Sequence, residues 1–105
     1  MTVELSTWGR YSEPAMLILV SLAPGPKHGY GIMEDIRAMT GTSMRAGTLY
    51  AALNRLEHQG LIKPVASQDR RKPYRLTATG AATLRDQLTS LSEFASMALS
   101  RLGAG

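Results

Sequence analysis

The feature that most restricts this chain lies near its C-terminal end. From Ala81 through Leu84, Leu88, Leu91, Ala95 and Ala98 to Leu102, apolar residues recur at spacings of 3, 4, 3, 4, 3 and 4. That repeat keeps a single apolar seam along a helix and packs best against another helix. The helix it predicts, over 80–102, is roughly 34 Å long at about 1.5 Å per residue. Phe94 and Leu99 flank the seam and widen its apolar face. The chain has 105 residues, so some 75 precede this helix, enough for one small core. A helix that long overhangs such a core. The seam is therefore expected to meet a second copy of the chain, through Leu84, Leu88, Leu91, Phe94, Ala95, Ala98 and Leu102. Packing against its own domain is the alternative.

Upstream, the chain is cut into short pieces by strong stops. Residues 1–11 read as an irregular arm, with Trp8 and Tyr11 as apolar handles. Ser12, Glu13 and Pro14 form a helix start, with a capping hydroxyl followed by an acid and a proline in the first turn. The helix predicted over Glu13–Ala23 is apolar nearly all round and so should be buried centrally. Pro24-Gly25-Pro26 ends it. A second helix is expected over His28–Met39, with Tyr30, Met33, Ile36 and Ala38 inward and Glu34, Asp35 and Arg37 in water. Gly29 and Gly31 weaken its first turn, which favours a close packing contact or a ligand there. Thr40-Gly41-Thr42-Ser43 makes the next turn.

The third helix begins at Met44 or Ala46 and runs to Gln59. Leu49, Leu53 and Leu56 lie on one stripe at i, i+4 and i+7. The opposite side carries Gly47, Ala51, Asn54, Arg55 and His58, flanked by Thr48 and Tyr50. Small residues there permit close approach to a surface. Asn and Arg can hydrogen-bond base edges, and Thr, Tyr and Arg can reach phosphates. After the stop at Gly60, Leu61–Val65 reads as a strand limited by Pro64 to an edge or an end. Ala66–Pro73 is a polar loop and Tyr74–Thr77 the returning strand. Thr77 or Thr79 caps the final helix. The expected architecture is mainly α with a small β hairpin: an arm (1–11), a winged helix-turn-helix (12–78), and a long C-terminal dimerisation helix with its tail (79–105).

Charge agrees with that plan. Twelve Lys and Arg oppose eight Asp and Glu, for a net charge of +4. Six of the twelve cations, Arg55, Lys63, Arg70, Arg71, Lys72 and Arg75, fall between 55 and 75, opposed only by Glu57 and Asp69. Such a stripe is the footprint of phosphate binding, against the plainer reading of a solvated basic face. The absence of cysteine excludes disulfides, Cys-ligated zinc and thiol chemistry. His28 and His58 stand far apart with no third ligand at metal spacing, so neither a metal nor any other cofactor is expected. The longest apolar run is too short to span a bilayer, and the first residues lack a secretory pattern. A cytoplasmic protein without membrane contact is the expectation.

His28-Gly29-Tyr30, Gly47-Thr48-Leu49-Tyr50 with Leu53 and Leu56, Gly60-Leu61-Ile62, and Tyr74-Arg75-Leu76-Thr77 with Gly80 occur in that order. In these segments the chain resembles the PadR family of bacterial transcriptional regulators over about residues 14–102. The single short C-terminal helix is similar to the compact branch of that family. The resemblance implies a homodimeric repressor of a pseudo-palindromic operator, of a kind often answering to phenolic, antibiotic or other aromatic compounds. It implies a recognition helix starting near Met44, with Thr48 and Tyr50 at the DNA surface and Arg70-Arg71-Lys72 as the wing. His28-Gly29-Tyr30 would open the preceding helix near the sugar-phosphate backbone. Some compact relatives hold planar drugs between tryptophans of their dimer helices. Here no tryptophan lies in 80–102, and the only one is Trp8. Trp8, Phe94 and Met97 are the candidate lining of a different pocket for a small aromatic effector, against the plainer reading of Phe94 and Met97 as packing residues.

The expected mechanism is symmetric. Two third helices enter successive major grooves of double-stranded DNA, with Arg45, Thr48, Tyr50, Asn54 and Arg55 in contact and the wing cations on flanking phosphates. Two other classes compete. The enzyme reading fails because the chain has no cysteine, nucleophile elbow, phosphate loop or paired acids in an apolar setting. A winged helix serving as a protein adaptor would tolerate charge reversal at Arg70, Arg71 and Lys72.

Overall fold

The computed structural model describes residues 13–68 and 70–103. Helix α1 spans Pro14–Leu22, strand β1 Lys27–His28, helix α2 Gly29–Thr40 and helix α3 Ala46–His58. Strands β2 (Ile62–Pro64) and β3 (Pro73–Leu76) follow, and helix α4 (Ala78–Arg101) closes the described chain. The arm with Trp8 and Tyr11, and the expected cap Ser12, lie outside the described residues. Glu13 occupies the N-cap position of α1 in extended conformation, with Pro14 in the first turn.

Helix α1 is the centre of the core, as its all-round apolarity predicts. Met16, Ile18, Leu19 and Leu22 are buried, together with Ser21. They meet Ile32 and Ile36 of α2, Leu49, Ala52, Leu53 and Leu56 of α3, Ile62 and Tyr74 of the sheet, and Leu84 of α4. Each fully buried Leu or Ile contributes about 1.5–3 kcal/mol relative to its exposed state. Ser21 is the one buried polar side chain among the described residues, and its surroundings satisfy it. Its hydroxyl donates to Asp35 Oδ2 at 2.8 Å. The Lys27 ammonium donates to the Ser21 carbonyl and stands 3.6 Å from the same Asp35 oxygen. One carboxylate thus ties α1, β1 and α2 together.

The predicted inward face of α2 is out of phase. Ile32 and Ile36 are buried with Gly29, Met33 is half-buried, and Tyr30 and Ala38 are exposed. Ile32 and Ile36 lie one turn apart and put the larger branched side chains into the core, which turns Tyr30 outward. Helix α2 stops at Gly41, whose φ of 76° is left-handed and whose N–H donates to the Arg37 carbonyl at 2.7 Å. The stripe Leu49, Leu53 and Leu56 of α3 is buried as its spacing predicts. Gly60, at φ 76°, ends that helix, with Leu61 N–H donating back to the Leu56 carbonyl at 3.0 Å.

The expected two-stranded hairpin is present, but it belongs to a three-stranded antiparallel sheet in the order β1-β3-β2. Ile62 pairs with Leu76, Lys63 with Arg75 and Pro64 with Tyr74. The added strand pairs Lys27 with Tyr74 and His28 with Pro73. Two residues directly after Pro26 are too few to show a strand's alternation in sequence.

Both ends of the hairpin meet at one place. Thr77 N–H donates to the Leu61 carbonyl at 3.0 Å, and its hydroxyl donates to the Gly60 carbonyl at 2.6 Å. The same hydroxyl caps α4 by accepting from Gly80 N–H at 2.9 Å. Gly80 lies so close that a Cβ there would overlap the Leu61 carbonyl oxygen and sit 2.8 Å from its carbon. Helix α4 is held at its start in this way, and Leu84 is 5% exposed in the chain's own core. Leu84 was expected at the dimer seam; the structure instead uses it to anchor α4. Beyond it Leu88, Phe94, Met97, Leu99 and Leu102 are exposed, Leu102 by 81%. No described helix is long and apolar enough to cross a membrane.

This packing sets the cost of three substitutions. Gly80→Ala is expected to cost about 1–3 kcal/mol, since the Leu61 backbone must move. Gly25→Ala, with nothing within 4 Å of its added Cβ, should stay within about 0.5 kcal/mol of wild type. Asp35→Ala is expected to cost about 1–3 kcal/mol by leaving the Ser21 hydroxyl without its acceptor. Urea unfolding followed by circular dichroism measures all three.

Candidate nucleic-acid interface

Helix α3 presents two chemically opposite sides. Leu49, Ala52, Leu53 and Leu56 fasten it to the core. The outer side carries Gly47, Thr48, Tyr50, Ala51, Asn54, Arg55 and His58, all exposed, with Arg45 exposed at the N-cap. Nothing lies within 4 Å of the Cβ position at Gly47. Among the described residues, Arg45, Thr48, Asn54 and Arg55 make no side-chain hydrogen bond or ion pair, so their donors and acceptors are open to a ligand. A helix rigid on one side and unpaired on the other is a reading head in form. Its small N-terminal half lets the backbone approach a surface closely.

Helix α2 begins beside it. A Cβ at Gly29 would fall 2.5 Å from the Tyr50 hydroxyl and 3.0 Å from its ring carbon Cζ. The phenol of Tyr50 therefore lies across the first turn of α2, which answers why glycine stands there. Tyr50 remains 53% exposed and Tyr30 61%, so two tyrosines flank this junction. His28 is the N-cap of α2 without a side-chain capping bond. Its Nδ1 is buried and has no partner among the described residues. Gly29 thus brings the predicted His28-Gly29-Tyr30 segment against α3, a contact that sequence signalled only as a weakened helical turn.

The hairpin carries the remaining cations. Arg70, Arg71 and Lys72 are exposed on the loop between β2 and β3. The Lys72 ammonium sits over the Tyr74 ring, 5.5 Å from its centroid, and so is partly held in place. The predicted effector lining is not gathered by the described residues. A shallow groove of about 390 Å³ beside α4 is lined by Ala23, Leu76, Ala81, Leu84, Arg85, Leu88 and Thr89. Phe94 and Met97 lie further along the helix, and Trp8 is outside the described residues.

Comparison with known proteins agrees with this geometry. The model of the transcriptional regulator PadR-like family matches residues 18–86, most of the folded unit. A transcriptional regulator from Clostridium thermocellum superposes with a TM-score of 0.75 at 26% identity, over 97% of this chain and 99% of that one. A PadR family transcription regulator from Clostridium difficile gives 0.75 at 29% identity, over 86% and 98%. One from Eggerthella lenta gives 0.73 at 28%, over 96% and 91%. An uncharacterized 37.1 kDa protein in transposon TN4556 of Streptomyces fradiae is 37% identical over 83 residues. That stretch is 79% of this chain but 24% of the relative, so the chain spans about a quarter of that protein's length. With its winged helix-turn-helix, its open α3 face and a family match over 18–86, the chain belongs to the PadR-like family of transcriptional regulators, which bind DNA and are not enzymes.

Proposed function

We propose that this protein is a homodimeric repressor that reads a pseudo-palindromic operator through α3. The observation that carries this reading is the unpaired outer face of α3 on a helix fixed by Leu49, Leu53 and Leu56. Asn54 is the base-reading residue best suited to adenine, and Ala51 and the Thr48 methyl suit a thymine methyl. Arg45, Arg55, Tyr50 and Tyr30 hold phosphates beside that groove, with His28 at the same edge. Arg70, Arg71 and Lys72 engage flanking phosphates or the minor groove. Residues 12–78 form the DNA-binding unit and 79–105 the dimerisation unit.

The dimer rests on α4. Leu88, Leu91, Phe94, Ala95, Ala98 and Leu102 continue one seam past the point where the core ends, and a face of such large side chains in water favours a partner helix. Symmetric pairing sets two α3 helices about 34–36 Å apart, one turn of the duplex. A small aromatic effector bound near Phe94 and Met97, with Trp8 as a further wall, shifts the α4 pair and changes that spacing. Because α4 leaves the hairpin at Thr77 with no linker, its tilt is passed to the reading unit.

Fluorescence anisotropy on the DNA upstream of its own gene, with unrelated competitor, tests the reading. Binding that survives competitor supports it, and binding lost to competitor at every salt concentration overturns it. Asn54→Ala is expected to weaken the operator complex by about 1–3 kcal/mol and to relax discrimination at one base pair. Changing Arg70, Arg71 and Lys72 to Gln should weaken operator and unrelated duplex alike. Leu91→Asp with Leu102→Asp should halve the mass seen in sedimentation while the circular dichroism of the folded unit persists. An effector that weakens operator binding while leaving head spacing unchanged in solution scattering would refute the release step.

A further inference from the structure

The register of the hairpin puts two cations directly opposite one another. Lys63 on β2 pairs with Arg75 on β3. Their neighbours in the ladder, Ile62 with Leu76 and Tyr74 on β3, face the core. Alternation along a strand then sends Lys63 and Arg75 to the same outer face. Lys63 is exposed and Arg75 half-buried. Like charges directly opposite in an antiparallel pair oppose strand pairing. Neither has a carboxylate within ion-pair distance among the described residues. Arg75 spends a single Nη1 hydrogen bond on the Leu76 carbonyl at 3.0 Å, which orients the guanidinium and leaves its other donors open. Here the opposed pair brings the hairpin no folding advantage, and it suits an anion brought from outside.

We infer that Lys63 and Arg75 form one cradle for a phosphate of the DNA backbone, on the outer face of the hairpin and separate from the cations of its tip. This rests on the DNA-binding reading above and adds a contact to it. Both residues stand on paired strands, not on the 66–72 loop, so the cradle has a fixed separation before DNA arrives. Arg75 supplies planar donors and Lys63 a point charge, the combination that suits a tetrahedral anion with no base information. The strands leave this face at Pro64 and Pro73, where the loop carries Arg70, Arg71 and Lys72 onward. The hairpin thus presents cations along its length, and register is what brings two of them together.

The test is the salt dependence of binding by the full chain, measured by anisotropy on the upstream DNA and on an unrelated duplex. Lys63→Gln with Arg75→Gln is expected to lower the slope of log K against log salt by roughly 1.8, the value for one phosphate on each protomer of the bound dimer. The loss of affinity should be the same factor on both duplexes, so the specificity ratio is kept. A control removing equal charge elsewhere, Arg85→Gln with Arg101→Gln, should leave the slope in place. Thermal melting of the free double variant should match or exceed wild type, because the repulsion is gone, and this separates lost binding from lost fold. An unchanged slope overturns the cradle, even where operator binding by wild type is intact. A lost specificity ratio with the slope kept also overturns it, since that marks a base contact. If inorganic phosphate raises the melting temperature of wild type and not of the variant while the slope is unchanged, the site takes a free anion and the DNA assignment falls. Binding of wild type to neither duplex defeats this inference and the repressor reading together.

Discussion

The close contact of Gly80 with the Leu61 carbonyl is the constraint on which the arrangement of the parts depends. At that point the chain leaving α3 and the chain entering α4 lie against each other. One hydroxyl, from Thr77, both accepts the capping N–H of Gly80 and donates to Gly60. The hairpin is closed at its base by these bonds, and α4 starts where the hairpin ends. A side chain at position 80 would push the two apart. The direction of α4, and hence of the apolar seam along it, is thus set by a contact that only glycine permits.

Within the core, the corresponding element is α1. A helix with apolar groups on every side has no preferred face, so its orientation must come from somewhere else. Ser21, Asp35 and Lys27 supply it. A buried hydroxyl needs an acceptor, and Asp35 on α2 provides one. Lys27 then closes the group from β1. The polar cluster specifies which way round the helices pack, a task that interchangeable leucines and isoleucines do less well.

Function follows from what the core leaves over. With α3 fastened by one stripe, its opposite side is free of internal bonds. With α4 anchored by Gly80 and Leu84, its later turns project with large apolar groups in water. Neither surface improves the stability of a lone chain. The opposed cations in the hairpin and the exposed seam on α4 are each small costs to a lone chain, and the hydrated donors on α3 are open to a ligand. The junction of Tyr50 with Gly29 ties the start of α2 to α3.

Much of this was legible in the sequence. The stripe Leu49, Leu53, Leu56, the stops at Gly41 and Gly60, the hairpin and the long final helix all follow from spacing and stop residues, because periodicity and φ preference act locally. The outer face of α3 was legible for the same reason: once one side of a helix is known, the other is determined. Three things were decided by the tertiary structure alone. Strand β1 is two residues long and exists only because β3 offers an edge. The rotation of α2 depends on which of its apolar residues meets α1, so Ile32 displaces Tyr30 from the core. Leu84 has the same spacing as Leu88 and Leu91, and its place in the core instead of the seam is set by how close Gly80 lets α4 come to Leu61. Local pattern determines the faces of each element; the distances between elements determine which of those faces remain available to a partner.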